Sequence, residues 1–263
     1  MASRRNNSLL CVGLDPDPSL MPEGISLFDF NRAIIDATAD LVCAYKPNLA
    51  FYEALGEEGL GALKRTRDYI PADIPVIADA KRGDIGNTAR AYARSLFELY
   101  DFDAATISPY LGFDSLEPFI RYNDRGVIVL CRTSNAGAED FQSLRCETDD
   151  GPRLLFEVVA QKVDRWNTEG NLGLVIGATY PEELRLIRRR YPDMLLLIPG
   201  IGAQGGDLSR VVDYGVDAGR QKTIINSSRQ ILYASKGDDY AIAAAKAARE
   251  LRDGINNLLS KHS

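Results

Sequence analysis

The chain is almost without histidine. The single one, His262, sits beside the C-terminus of the 263 residues, and chain ends seldom fold back into the body of a domain. A Ser-His-Asp triad, a histidine-rich zinc site and a histidine general base are therefore excluded as expectations, and any catalysis falls to lysine and carboxylates. The four cysteines, Cys11, Cys43, Cys131 and Cys146, have no CxxC spacing, and three of them lie in apolar, strand-like runs. They read as reduced thiols rather than a disulfide framework. The start, "MASRRNNSLLCVGLDPDP", has only a short apolar stretch before charge and proline, too little for a signal peptide or a membrane span. Blocks of positive charge are missing apart from Arg188, Arg189 and Arg190, and the net charge is −6. That balance argues against a general nucleic-acid or membrane-surface binder, while a local basic pocket for a small anion stays open. The expected compartment is the cytoplasm.

What the chain does have is enough apolar residue for one large core: 45% of it is hydrophobic, at a length close to that of one α/β barrel. Eight short apolar runs recur at 9–15, 43–48, 75–81, 103–109, 126–134, 172–178, 195–202 and 222–228. Helical patterns follow at 28–41, 53–69, 88–99, 113–121, 152–168, 180–190, 206–213 and 238–259. Strict alternation with continuously apolar strands predicts parallel strands covered by helices. Eight such units predict a single closed (β/α)8 TIM barrel spanning 1–263, with no linker dividing it. The longest polar loop, 135–150, follows the fifth strand and is expected over the C-terminal mouth, where barrels build active sites.

Charge concentrates at the C-terminal ends of the strands. In "IADAKRGDIG" (77–86) a core strand ends in Asp79 and Lys81, with Asp84 three residues beyond on the loop. Alternation along a strand predicts that Asp79 and Lys81 point to one side, with Lys46 reaching them from the neighbouring strand. Opposite charges in such an array keep one another ionised in a partly dry site. Spacing alone leaves two readings, a reactive site or a structural salt-bridge network.

A second cluster, "IPGIGAQGGDLSR" (198–210) and "INSSRQI" (225–231), follows the seventh and eighth strands. Glycine-rich turns opening onto helix starts offer backbone N–H groups to an anion, and these two loops are where barrels commonly hold phosphate. Arg229 would add a planar cation. Gly200, Gly202 and Gly205 also satisfy G-x-G-x-x-G, but a dinucleotide fingerprint belongs at the first strand, with an acid about twenty residues on, and position 225 is Ile225. A tight turn with no ligand remains the plain alternative.

In barrel order, "GLD" (13–15), "KPN" (46–48), "DAKRGDIGNT" (79–88), "TSN" (133–135), "PGIGAQGGD" (199–207) and "NSSR" (226–229) together resemble the orotidine 5′-phosphate decarboxylase family, in its bacterial and archaeal branch. The resemblance implies decarboxylation of orotidine 5′-monophosphate to UMP without metal or cofactor, the last step of de novo pyrimidine synthesis. It implies that Lys81 protonates the C6 carbanion and that Asp79 lies beside the substrate carboxylate. Lys46 would hold Asp79 and a ribose hydroxyl, Asp15 would bind ribose, and Ser134 would contact the pyrimidine amide. Gln204, Ser228 and Arg229 would take the phosphate, with Pro199 and Gly200 shaping its loop. Asp84, with Ile85 and Thr88, would complete the site of a second copy in a homodimer. Where many relatives have Gly-Arg, this chain has Ser228-Arg229, and loop 135–150 would close over the base. The rival readings are a magnesium-dependent sugar-phosphate enzyme of the same superfamily, a Schiff-base aldolase using Lys81 or Lys46, and a silent nucleotide-binding barrel.

Overall fold

The computed structural model describes residues 2–202 and 205–261. Eight strands alternate with eight principal helices. The strands are β1 Leu10–Leu14, β2 Ala44–Pro47, β3 Ile77–Arg82, β4 Ala104–Ile107, β5 Gly126–Arg132, β6 Leu172–Ile176, β7 Leu195–Pro199 and β8 Thr223–Ser227. The helices are α1 Leu27–Thr38, α2 Gly56–Tyr69, α3 Gly86–Arg94, α4 Phe113–Ile120, α5 Leu155–Trp166, α6 Pro181–Arg190, α7 Leu208–Gly215 and α8 Tyr240–Ser260.

All neighbouring strands pair in parallel, in the order β2-β1-β8-β7-β6-β5-β4-β3. The remaining seam, between β2 and β3, is closed by the parallel bridges Tyr45 to Val76 and Asn48 to Asp79, and the Tyr45 amide donates to the Pro75 carbonyl at 3.0 Å. The barrel expected from the alternation therefore forms. Both strand faces are buried, which is why the runs read as continuously apolar. Leu10, Val12, Leu14, Val127, Val129, Leu172, Leu174, Leu196 and Ile198 face outward under the helices. Cys11, Ala44, Ile77, Ile128, Val175 and Leu197 face inward and form a separate plug in the barrel. All four cysteines are unpaired thiols. No helix among the described residues is long and apolar enough to cross a membrane.

Several boundaries differ from the sequence expectation. The helix expected at 53–69 is two pieces, Leu49–Glu53 and α2, because Gly56 takes φ +58° and redirects the chain between them. The helix expected from 88 begins at Gly86 and ends in a π turn, Ser95–Leu99. Loop 135–150 is not irregular throughout. It holds a 3-10 turn, Ala136–Asp140, and a short strand, Arg145–Cys146, paired antiparallel with Arg153–Leu154. Amides at the start of α5 donate back to it, Leu155 to the Leu144 carbonyl at 2.8 Å and Phe156 to the Gln142 carbonyl at 3.1 Å. The arginine block on α6 is divided, with Arg189 and Arg190 exposed. Arg188 is buried, and its guanidinium donates to the carbonyls of Gly215, Pro192, Met194 and Lys222 at 2.8–2.9 Å. It staples three chain segments together, and burial lowers its pKa.

Candidate active site

One level above the apolar plug the inward positions become polar: Lys46 on β2, Asp79 on β3, Thr106 on β4 and Asn226 on β8. They floor a cavity of about 610 Å³ at the C-terminal mouth of the barrel. Asp79 is its centre. Lys46 Nζ donates to Asp79 Oδ2 at 2.8 Å, Lys81 Nζ to Oδ1 at 2.5 Å, and Thr106 Oγ1 to Oδ1 at 3.0 Å. The Lys46 and Asp79 side chains are 5% and 12% exposed, whereas that of Lys81 is 49% exposed. Both ammonium groups line the cavity, and Lys81 is the more exposed of the two.

Burial alone would raise the carboxyl of Asp79, but the Lys46 and Lys81 ammonium groups outweigh it and hold Asp79 well below the usual carboxylate range. Burial alone would likewise lower Lys46, and the negative charges of Asp79 and Asp15 overturn that and push it up. Lys46 and Asp79 are therefore both ionised at neutral pH, as alternating charge at the strand end predicts.

The route by which Lys81 meets Asp79 differs from simple alternation. Ala78 pairs with Ala105 and Arg82 with Ile107, so β3 carries more residues than β4 over the same span and bulges. Lys81 has φ +46°, a left-handed conformation uncommon outside glycine. Its amide, displaced from the regular ladder, donates to Thr106 Oγ1 at 3.0 Å.

Around this centre stand further residues expected from the sequence. Asp15 follows β1, its backbone carbonyl accepting from the Tyr233 hydroxyl at 2.9 Å. Its Oδ1 is buried with no hydrogen-bond partner among the described residues, an acceptor that a ligand hydroxyl can satisfy. Ser134 lines the cavity from the loop after β5. Gly177 makes room for it, since a β-carbon there would stand 2.8 Å from the Ser134 backbone. Pro199, Gly200, Ser228 and Arg229 line the opposite side, and Gly200 and Gly202 take φ +104° and +86°. Arg229 is exposed at the cavity edge. Gln204 lies outside the described residues.

One part of the anion-site expectation needs correction. The start of α7 is not open to a ligand, because Asp207 caps it: its Oδ1 accepts from the amides of Ser209 at 2.9 Å and Arg210 at 3.3 Å. A carboxylate of the chain itself occupies the positive helix end, while Gly200 after β7 and the turn at Ser228 and Arg229 line the cavity.

Asp84, Ile85 and Thr88 do not line this cavity. Asp84 is half-buried on the rim beyond β3, its Oδ1 accepting from the Ile85 amide at 2.7 Å. Ile85 is 53% exposed. Arg82, between the two groups, is ion-paired with Glu53 and lies over the Tyr92 ring.

Sequence reasoning missed Thr106, Gln142 and Asn226. Gln142 clasps Thr133, accepting from its amide and donating to its hydroxyl, each at 2.8 Å. Thr106 and Asn226 could have been found as the inward positions two residues beyond Ala104 and Ile224, which pack on the barrel plug. Gln142 carries no such signal.

A family model described as orotidine 5′-phosphate decarboxylase / HUMPS family matches residues 8–245. A protein of Dehalococcoides mccartyi (strain CBDB1) named orotidine 5′-phosphate decarboxylase is 56% identical over 256 residues, 97% of this chain and 95% of that protein. One from Roseiflexus sp. (strain RS-1) with the same name is 51% identical over 262 residues, 98% of this chain and 95% of its own length. Among solved structures, Leishmania donovani OMP decarboxylase superposes with TM-score 0.85 at 42% identity, covering 98% of this chain and 95% of that one. Leishmania donovani UMP synthase superposes with TM-score 0.86 at 44% identity, and the match spans 98% of this chain and 55% of the synthase.

Proposed function

The chain belongs to the orotidine 5′-phosphate decarboxylase / HUMPS family, and we propose that its reaction is the decarboxylation of orotidine 5′-monophosphate to UMP and CO2, run without metal or cofactor. The observation that carries the reading is the Asp79 carboxylate held between Lys46 and Lys81 at the floor of the mouth cavity.

In this reading the phosphate of the substrate lies against Gly200, Gln204, Ser228 and Arg229, next to Pro199. The ribose is held by Asp15 and Lys46, and the pyrimidine amide by Ser134. The substrate carboxylate lies beside Asp79. When the bond from C6 to the carboxylate breaks, its electron pair remains on C6 and CO2 departs. Lys81 then gives C6 a proton, forming UMP, and is reprotonated from water. The lone pair of the C6 carbanion lies in the ring plane, orthogonal to the ring's π system, which cannot take the charge, so a fixed cation must be waiting for it. Lys81, already drawn toward Asp79, needs little reorganisation during the reaction. Phosphate binding at a distance from C6 supplies interaction energy for orientation and for closure of loop 135–150.

A second copy of the chain completes the site in this reading, through Asp84, Ile85 and Thr88. The support is an apolar rim: Ile85 is 53%, Tyr110 82% and Leu111 48% exposed. The β3 and β4 loops that carry them touch where Gly83 meets Ser108. An exposed cluster of this kind marks an interaction surface. In this reading the protein works in the cytoplasm.

The test follows the absorbance of orotidine 5′-monophosphate with purified protein, with and without a chelator. Loss of substrate at equal rates in both is expected. No turnover overturns the reading and favours the sugar-phosphate branch of the family; turnover abolished by the chelator overturns its metal-free part.

A further inference from the structure

We propose that Thr106 is a positioning residue that ties the backbone of Lys81 to the carboxylate of Asp79. The inference deepens the decarboxylase reading and rests on it for its kinetic consequence. The Thr106 side chain is buried and faces inward from β4. A hydroxyl has one hydrogen and two lone pairs. One lone pair of Thr106 Oγ1 is taken by the Lys81 amide at 3.0 Å, so the hydrogen is left for Asp79 Oδ1, also at 3.0 Å. That same carboxylate oxygen receives Lys81 Nζ at 2.5 Å. Lys81 is thus held to Asp79 twice, directly through its ammonium and indirectly from its amide through Thr106.

The backbone makes this second link necessary. Between the Ala78–Ala105 and Arg82–Ile107 pairs the ladder is interrupted, and it is there that the Lys81 amide turns to the Thr106 hydroxyl. With φ at +46°, Lys81 is in a conformation that a lysine holds only where its surroundings enforce it. The Thr106 hydroxyl supplies a partner for the displaced amide. The branched β-carbon restricts χ1, which holds that oxygen in place. A valine would fill the same space and provide no oxygen, leaving the Lys81 amide and one side of Asp79 short of a partner.

The experiment compares Thr106→Val with Thr106→Ser, reading steady-state kinetics on orotidine 5′-monophosphate and hydrogen exchange of the Lys81 amide in the ligand-free proteins. The valine variant is expected to lose about 100-fold in kcat, the scale of a small misplacement of a reacting group, with little change in KM and with faster Lys81 exchange. The serine variant restores both. If the valine variant does not fold, Thr106→Cys, a weak hydrogen-bonding replacement of similar size, takes its place, with the same losses expected. Kinetics and exchange unchanged in the valine variant, or equal losses in both variants, overturn the proposal, as does a rise in KM with kcat retained. Failure of the wild-type protein to consume the substrate overturns the functional reading instead. Amide exchange then still decides the Thr106 link: protection retained in the valine variant removes it.

Discussion

Gly13 and Ser228 meet across the β1–β8 seam so closely that a β-carbon on Gly13 would stand 1.9 Å from the Ser228 hydroxyl oxygen and 2.9 Å from its β-carbon. Gly13 is not among the residues with left-handed φ. Its role is therefore space: the first glycine of "GLD" lets the turn at Ser228 and Arg229 settle against β1, beside Asp15.

Gly13→Ala should push Ser228 away from β1 and disturb the proposed phosphate contacts. The expected result is a KM for orotidine 5′-monophosphate raised about tenfold, equivalent to about 1.4 kcal/mol, with UMP affinity weakened in parallel and kcat at saturation much less affected. Initial-rate kinetics and calorimetry of UMP binding read this. A fall in kcat at unchanged KM would mean that the contact serves the reacting end of the site.

The Lys46–Asp79 pair should shape stability against pH in a defined way. Asp79 is held below the carboxylate range, so its contribution is complete above about pH 4 and is lost as the pH falls toward its folded-state value. Lys46 is raised, so its contribution is complete below about pH 10 and is lost as the pH rises. From this pair, stability is flat between these limits and declines on either side. Lys46→Met leaves Asp79 with the half-exposed Lys81 as its one close cation. It should cost about 3 kcal/mol, the scale of breaking a buried pair, and the acid-side decline should begin at a higher pH. Urea unfolding from pH 3 to pH 8 measures both; an unchanged acid limb would show that Lys81 alone suffices to hold Asp79 ionised.

Lys81→Ala should lower turnover of orotidine 5′-monophosphate by about 1000-fold or more, on the scale of losing a positioned proton donor, with UMP binding retained. Asp84→Asn should be impaired as well. Mixed in equal amounts and allowed to exchange subunits, the two variants should rise to about a quarter of wild-type activity: half of the dimers are hybrids, and each hybrid holds one intact site. No recovery with subunit exchange demonstrated by mass spectrometry would place Asp84 in its own subunit's chemistry or in none.

The architecture was legible because it is written in local periodicity. Eight apolar runs separated by helical patterns required parallel strands under helices, and the charges at the strand ends marked the mouth, bringing Asp15, Lys46, Asp79, Lys81, Ser134 and Arg229 to one cavity. The near absence of histidine had already left the chemistry to lysine and carboxylate. What depends on atoms far apart in the chain was decided in tertiary structure. Asp79 and Lys81 meet through a bulge that Thr106 supports from another strand, where alternation predicted a regular strand. Asp207 occupies the helix start that its neighbouring glycines suggested for a ligand. Arg188, part of a basic block in the sequence, is spent on backbone carbonyls, and Gly13 owes its place to Ser228 on the last strand. Periodicity specifies which face of an element is buried; it carries no information about the register, bulges and close approaches between elements, because these follow from packing the whole barrel at once.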